Sequence, residues 1–218
     1  MKLIAINGSP RKSWNTATLL NSALEGAASI GASTEIVHLY DLDYKGCISC
    51  FACKRRGGSS YGKCAVRDGL TPLLEKIEGA DAFFIGSPIY FGNVTGETRS
   101  FMERLLFQYL VYAREDRSLA PKKRVGLIFT MNLSDAMAKD RGYDYIFEST
   151  ARTFRMLFGS AEILCATDTL QFEDYSLYVA PLFNEMEKKR RHEEEFPRDC
   201  KRAFDLGVKF AGKSGSES

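Results

Sequence analysis

The sequence predicts an α/β fold: a doubly wound, five-stranded parallel sheet with helices on both faces. Three observations predict it. Short runs of Ile, Leu, Val and Phe alternate with stretches of helical periodicity. Those runs lack polar alternation, as strands buried on both faces do. The first run leads through a loop, Asn7 to Thr16, directly into a helical pattern.

Each element follows from its residues. Leu3 to Ile6 reads as the first strand. Leu20, Ala23, Leu24 and Ala27 recur at helical spacing from Thr16, and Gly31 supplies a stop. Glu35 to Leu39 is the second strand. Leu70, Leu73, Leu74 and Ile77 mark a helix face closed by Gly79, and Ala82 to Ile85 is the third strand. Phe101, Met102, Leu105, Leu106 and Tyr109 form a helical stripe. Val125 to Phe129 is the fourth strand, Ile146 to Leu157 an amphipathic helix, and Ile163 to Ala166 the fifth strand. Glu185 to Arg202 reads as a charged, solvated helix, with pairs such as Glu187 and Arg191 four apart, interrupted or restarted at Pro197.

The 218 residues fit one domain, expected over 1–211, with a polar tail over 212–218 that has nothing to bury. A hydrophobic content of 44% supplies a sizeable core. Thirty Lys and Arg against 28 Asp and Glu leave a net charge of +2, which gives no electrostatic footprint for nucleic acid or an anionic membrane. No run approaches the ~20 apolar residues of a transmembrane helix. Four apolar residues at the start are too few for a signal peptide, so a cytoplasmic protein is expected. In that setting the six cysteines read as thiols or a metal site, not as a disulfide scaffold.

Two loops carry the binding chemistry. Asn7 to Thr16, NGSPRKSWNT, lies between a strand and a helix N-terminus, where unpaired N–H groups and a partial positive charge suit phosphate. The loop adds hydroxyls (Ser9, Ser13, Thr16), an amide (Asn15) and two cations (Arg11, Lys12). The loop is neither G-x-G-x-x-G nor a Walker A motif. A bland alternative is that Asn15 or Thr16 merely caps the helix. The second loop, GSPIYFGNVTGETRSF, follows the third strand. Pro88, Gly92 and Gly96 bend it, and Ile89, Tyr90 and Phe91 place apolar surface at a strand end. Gly92 and Asn93 can bring backbone N–H groups close to a ligand. Core packing of Tyr90 and Phe91 is the competing reading. Together the loops suit a planar ring that bears a phosphate.

GSPRKSWNT, SPIYFGNVTGETRSFMERLLF and the Cys-x2-Cys-x2-Cys segment between them resemble the NADPH-dependent FMN reductases of the flavodoxin-like superfamily. Within that branch the sequence is similar to iron–sulfur flavoproteins, over about Leu3 to Thr169. The resemblance implies the flavodoxin strand order and FMN at the strand ends. It implies a phosphate loop at Ser9, Arg11, Asn15 and Thr16, and a ring loop at Pro88, Ile89, Tyr90, Phe91, Gly92 and Asn93. A third loop maps to Thr130, Met131 and Asn132. It also implies a homodimer or homotetramer with flavins near subunit boundaries. NADPH or NADH would deliver hydride to the flavin, which would pass electrons to a small-molecule or protein acceptor. Hydride transfer requires no side-chain acid or base, so no catalytic residue is assigned.

Cys47, Cys50 and Cys53 have the spacing of iron–sulfur loops, and Cys64 follows after ten residues. Read with Cys64, the triplet is a candidate [4Fe-4S] site. The long fourth interval argues against it, and the expectation is a triplet without a cluster, on one short turn beside the flavin end of the sheet. Helical packing of the three thiols on one buried face is a further reading, as are thiols activated by Lys54, Arg55 or Arg56. A zinc site would need four ligands including Cys64. Cys165, Cys200, His38 and His192 are expected to be structural. Two functions compete: an NAD(P)H-dependent reductase of flavin, quinone or a related acceptor, and an electron-transfer flavoprotein that relays electrons between proteins. A scaffold that lost the cofactor is a third, weaker reading.

Overall fold

The computed structural model describes residues 1–212, so all but Gly212 of the expected tail lies outside the described residues. The strands are β1 (Lys2–Asn7), β2 (Ser33–His38), β3 (Ala82–Tyr90), β4 (Asn93–Val94), β5 (Lys123–Thr130) and β6 (Gly159–Ala166). The helices are α1 (Asn15–Ser29), α2 (Thr71–Glu78), α3 (Gly96–Tyr109), α4 (Asp135–Asp140), α5 (Tyr143–Phe158), α6 (Glu185–Glu194) and α7 (Phe196–Ala211). The sheet order is β2-β1-β3-β5-β6, all parallel, which is the flavodoxin-like order. The five expected strands are all present. β4 is an addition: two residues pairing antiparallel with the end of β3. Local chemistry hid it, because two residues leave no periodicity to read.

The strands separate two apolar layers. On one face Ile4, Ile6, Phe83, Ile85 and Leu127 pack with α2, α3 and α5. On the other, Leu3, Ala5, Phe84 and Ile128 pack with α1 and α7. Phe84 stacks on Phe210 at 5.0 Å, which fastens the last helix to the sheet. α7 starts at Phe196 with Pro197 in its first turn, so proline restarts the helix where its missing N–H costs nothing.

The charged segment is less solvated than its sequence suggests. Lys188 is buried and pairs with Asp168, and its Nζ donates to the Asn132 carbonyl at 2.5 Å. Arg191 pairs with Asp199 at 2.9 Å instead of the residues four away on its own helix. Among the described residues no helix is long and apolar enough to cross a membrane.

Candidate functional site

The strand order reverses between β1 and β3, and the loops leaving their C-terminal ends are laced together. Gly8 N donates to Gly86 O at 2.8 Å, and Thr95 Oγ1 donates to Gly8 O at 2.7 Å. Ser9 N donates to Asn7 Oδ1 (3.0 Å) and Arg11 N to Ser9 Oγ (3.1 Å), which curls the first loop back on itself. α1 then begins with Trp14 at the N-cap and no side-chain cap. Asn15 and Thr16 therefore lie within the helix, and neither caps it. The first turn keeps backbone N–H groups without a side-chain acceptor, together with the positive end of the helix dipole.

A pocket of about 170 Å³ opens at this end of the sheet. It gathers Ser9, Arg11, Asn15 and Thr16 from the first loop, Pro88, Ile89 and Tyr90 from the second, and Thr130, Met131 and Asn132 from the third. Ten of the thirteen residues expected to bind a cofactor thus line one cavity. Phe91, Gly92 and Asn93 do not line it. They form and flank the tip of the β3–β4 hairpin, where Tyr90 pairs with Asn93. Phe91 (φ 51°) and Gly92 (φ 81°) both lie in the left-handed region that two-residue hairpin turns of this kind require. Phe91 is fully exposed, so core packing is not its role.

The pocket's other wall was not legible. Trp14, Thr169, Leu170 and Gln171 complete it. Arg11 Nη1 donates to Gln171 O at 2.6 Å and Asn15 Nδ2 to Leu170 O at 2.7 Å. The Arg11 guanidinium also stacks 5.0 Å from the Trp14 ring. A segment with no hydrophobic period thus becomes a wall by offering carbonyls to two polar side chains. Behind the Trp14–Leu170 partition lies a larger cleft of about 520 Å³, lined by Thr18, His192, Phe196 and Cys200. It sits away from the strand ends, where α/β sheets bind ligands.

One buried atom in the pocket lacks a partner: Asn132 Oδ1. Its Nδ2 donates to Gln171 Oε1, which fixes the amide and points to a missing donor. An uncapped helix start and an unpaired buried acceptor in one pocket fit a ligand that carries both a phosphate and N–H or O–H donors. FMN has both.

The cysteines lie elsewhere. Cys64 N bonds to Gln108 Oε1 (2.9 Å) and Lys54 Nζ to Leu110 O (2.5 Å), which places them against the C-terminal half of α3. Gln108 lies about 18 Å along the helix from Gly96, and Glu103, which accepts from Cys47 N, about 10 Å, at 1.5 Å per residue. The expected position beside the strand ends is therefore corrected. So is the helical face: only Ala52–Lys54 makes a single helical turn, and Ser49 and Phe51 both have positive φ. These kinks turn Cys47, Cys50 and Cys53 toward one narrow cavity of about 20 Å³, and Cys64 lines it too. The ten-residue interval folds back through Gly62 N to Cys53 O at 3.0 Å, so its length is no obstacle. Among the described residues no three candidate ligands converge on a single ion. Burial pushes the Cys53 thiol up and outweighs Lys54, so thiol activation by that lysine is not found.

A sequence model of the family described as NADPH-dependent FMN reductase matches residues 1–138. An iron-sulfur flavoprotein of Archaeoglobus fulgidus is 41% identical over 128 residues, 58% of this chain and 60% of the relative. Another, from Methanocaldococcus jannaschii, is 39% identical over 104 residues, 48% of this chain and 51% of the relative. The chain thus spans between half and 60% of the length of these two curated relatives. An NAD(P)H:quinone oxidoreductase from Methanothermobacter marburgensis has the same fold, with a TM-score of 0.68 at 15% identity and 98% of each chain covered. On the strength of the match over its first 138 residues, this chain belongs to the NADPH-dependent FMN reductase family.

Proposed function

We propose that this chain is an FMN-dependent NAD(P)H oxidoreductase. One observation carries the reading: the uncapped start of α1 and the unpaired Asn132 Oδ1 line the same pocket at the switch point of the sheet. Bound FMN supplies the chemistry, accepting hydride from a nicotinamide and passing electrons to an acceptor. The protein's part is to hold and orient. Ser9, Arg11, Asn15, Thr16 and the first N–H groups of α1 hold the phosphate. Pro88, Ile89 and Tyr90 cover the ring's apolar surface. Thr130, Met131 and Asn132 meet its polar edge, with Gln171 fixing the Asn132 amide. Phe91, Gly92 and Asn93, at the hairpin tip, reach the ring's outer rim. The acceptor is a small molecule or a protein, and the assembly a homodimer or homotetramer. The test is anaerobic mixing with NADPH or NADH. Rapid bleaching of protein-bound flavin by either donor supports the reading. A flavin that neither donor reduces contradicts it.

The four-cysteine cavity favours a second reading, an electron-transfer flavoprotein that also holds a [4Fe-4S] cluster. The four thiols on one cavity are the donors such a cluster takes, but the cavity as it stands has no room for it. Iron and acid-labile sulfide after anaerobic purification test it, with Cys50→Ala as control. About four irons per chain, lost in the variant, move this reading to first place.

A further inference from the structure

We propose that the cleft of about 520 Å³ between the start of α1 and the α6–α7 junction is an adenine site. It receives the base of the nicotinamide dinucleotide that reduces the flavin in the neighbouring pocket. The inference rests on the oxidoreductase reading above.

Aromatic side chains line the cleft from two elements. Trp14, at the N-cap of α1, supplies one surface. His192 and Phe196 supply another, their rings stacked 5.1 Å apart and 20° from parallel. Leu170 adds apolar surface, and no Asp, Glu, Lys or Arg lines the cavity. Such a lining takes a flat, uncharged ring, and a nucleobase offers aromatic side chains a π-face to stack on. One polar group is unspent: His192 Nδ1 is buried without a partner among the described residues. The adenine edge serves it in either tautomer, with N6–H as donor or N7 as acceptor.

Position selects this ligand over other flat molecules. Trp14, Asn15 and Leu170 line both the cleft and the proposed FMN pocket, so a single layer of residues separates the two. Trp14 Nε1 and Asn15 Nδ2 both donate to Leu170 O, at 3.2 and 2.7 Å, which ties that layer together. The nicotinamide has to reach the ring loop at Pro88, Ile89 and Tyr90. The other half of the dinucleotide then runs back past the phosphate end of the pocket, and the cleft is the cavity beside that end. The Arg11 guanidinium, stacked on Trp14, puts a cation on the partition that the pyrophosphate crosses.

The test is anaerobic stopped-flow reduction of the FMN-loaded protein by NADH, NADPH and reduced nicotinamide mononucleotide, which has the same hydride donor and no adenosine. Half-saturation should need about tenfold more mononucleotide than dinucleotide, the scale of one lost base stack. His192→Leu should raise the dinucleotide half-saturation about fivefold, the scale of one lost hydrogen bond. Thr18→Trp fills the cleft from the exposed side of α1. It should raise the dinucleotide half-saturation about tenfold and leave the mononucleotide unmoved. Because a variant can fail to fold, the wild type is also photolysed with 8-azidoadenosine monophosphate and its labelled peptides are mapped. Label on the peptides that carry Trp14 or residues 192–200 supports the site. Equal half-saturation by mononucleotide and dinucleotide, unchanged dinucleotide half-saturation in both variants, or label confined to other peptides overturns the inference while leaving the oxidoreductase reading intact. A flavin that none of the three donors reduces overturns that reading and this inference with it.

Discussion

Thr16 Oγ1 and Thr130 Oγ1 lie 2.8 Å apart and are both buried, which pins the first turn of α1 to the end of β5. The pair joins the phosphate side of the proposed site to its third loop. Thr16→Ala should weaken FMN by about 1–3 kcal/mol, the range for hydrogen bonds to a charged group. Arg11→Ala should do the same. Affinities measured by fluorescence titration check both. Unchanged binding in both variants would place the phosphate elsewhere.

At the hairpin tip, Gly92→Val should impair flavin binding or reduction. A Cβ there would meet the Tyr143 ring at 3.3 Å, on a backbone at φ +81° that branched residues avoid. Tyr90→Ala should also impair it, by removing cover from the ring. Phe91→Ala should leave folding stability within about 0.5 kcal/mol, since the side chain is fully exposed. Denaturant melts separate the two kinds of effect.

Lys188 anchors the third loop from behind, through the Asn132 carbonyl and Asp168. Lys188→Met leaves both without their cation and should cost about 1–3 kcal/mol of stability. FMN affinity should fall with it, because the Asn132 amide loses its backing. Normal affinity in a destabilised variant would make Lys188 a purely structural anchor.

α1 and α7 touch backbone to backbone. A Cβ on Gly207 would stand 1.8 Å from Ala23 O. Gly207→Ala should therefore destabilise by about 1–3 kcal/mol, the usual range for overpacking. A thermal shift within error would show that the helices slide apart freely.

Burial pushes the Cys165 thiol up to about 12, so it stays protonated at neutral pH. Its alkylation should be slow at pH 8 and rise only as pH approaches that value. The exposed Cys50 should react first. Mass-spectrometric mapping of alkylated sites at several pH values checks the order.

The five parallel strands and the two main loops were legible because uninterrupted apolar runs and a strand–loop–helix junction depend on local residues. The Thr169–Gln171 wall was not, because it contributes backbone carbonyls, which leave no trace in residue type. Arg104 falls between the apolar positions of the α3 stripe, and its burial comes with the tertiary return of Lys45 and Asp68, whose carbonyl and carboxylate accept from its guanidinium. Lys188 was misread for the same reason. The position of the cysteines was misjudged because order along the chain does not fix which end of α3 a loop covers.

Trp14 is the chain's single tryptophan and lines the proposed FMN pocket. Titrating FMN into apoprotein while following tryptophan emission therefore tests the central claim most directly. The account predicts saturable quenching at about one FMN per chain, weakened in Arg11→Ala by the affinity loss given above. Emission that ignores FMN, in a protein that stays colourless after dialysis, would contradict it.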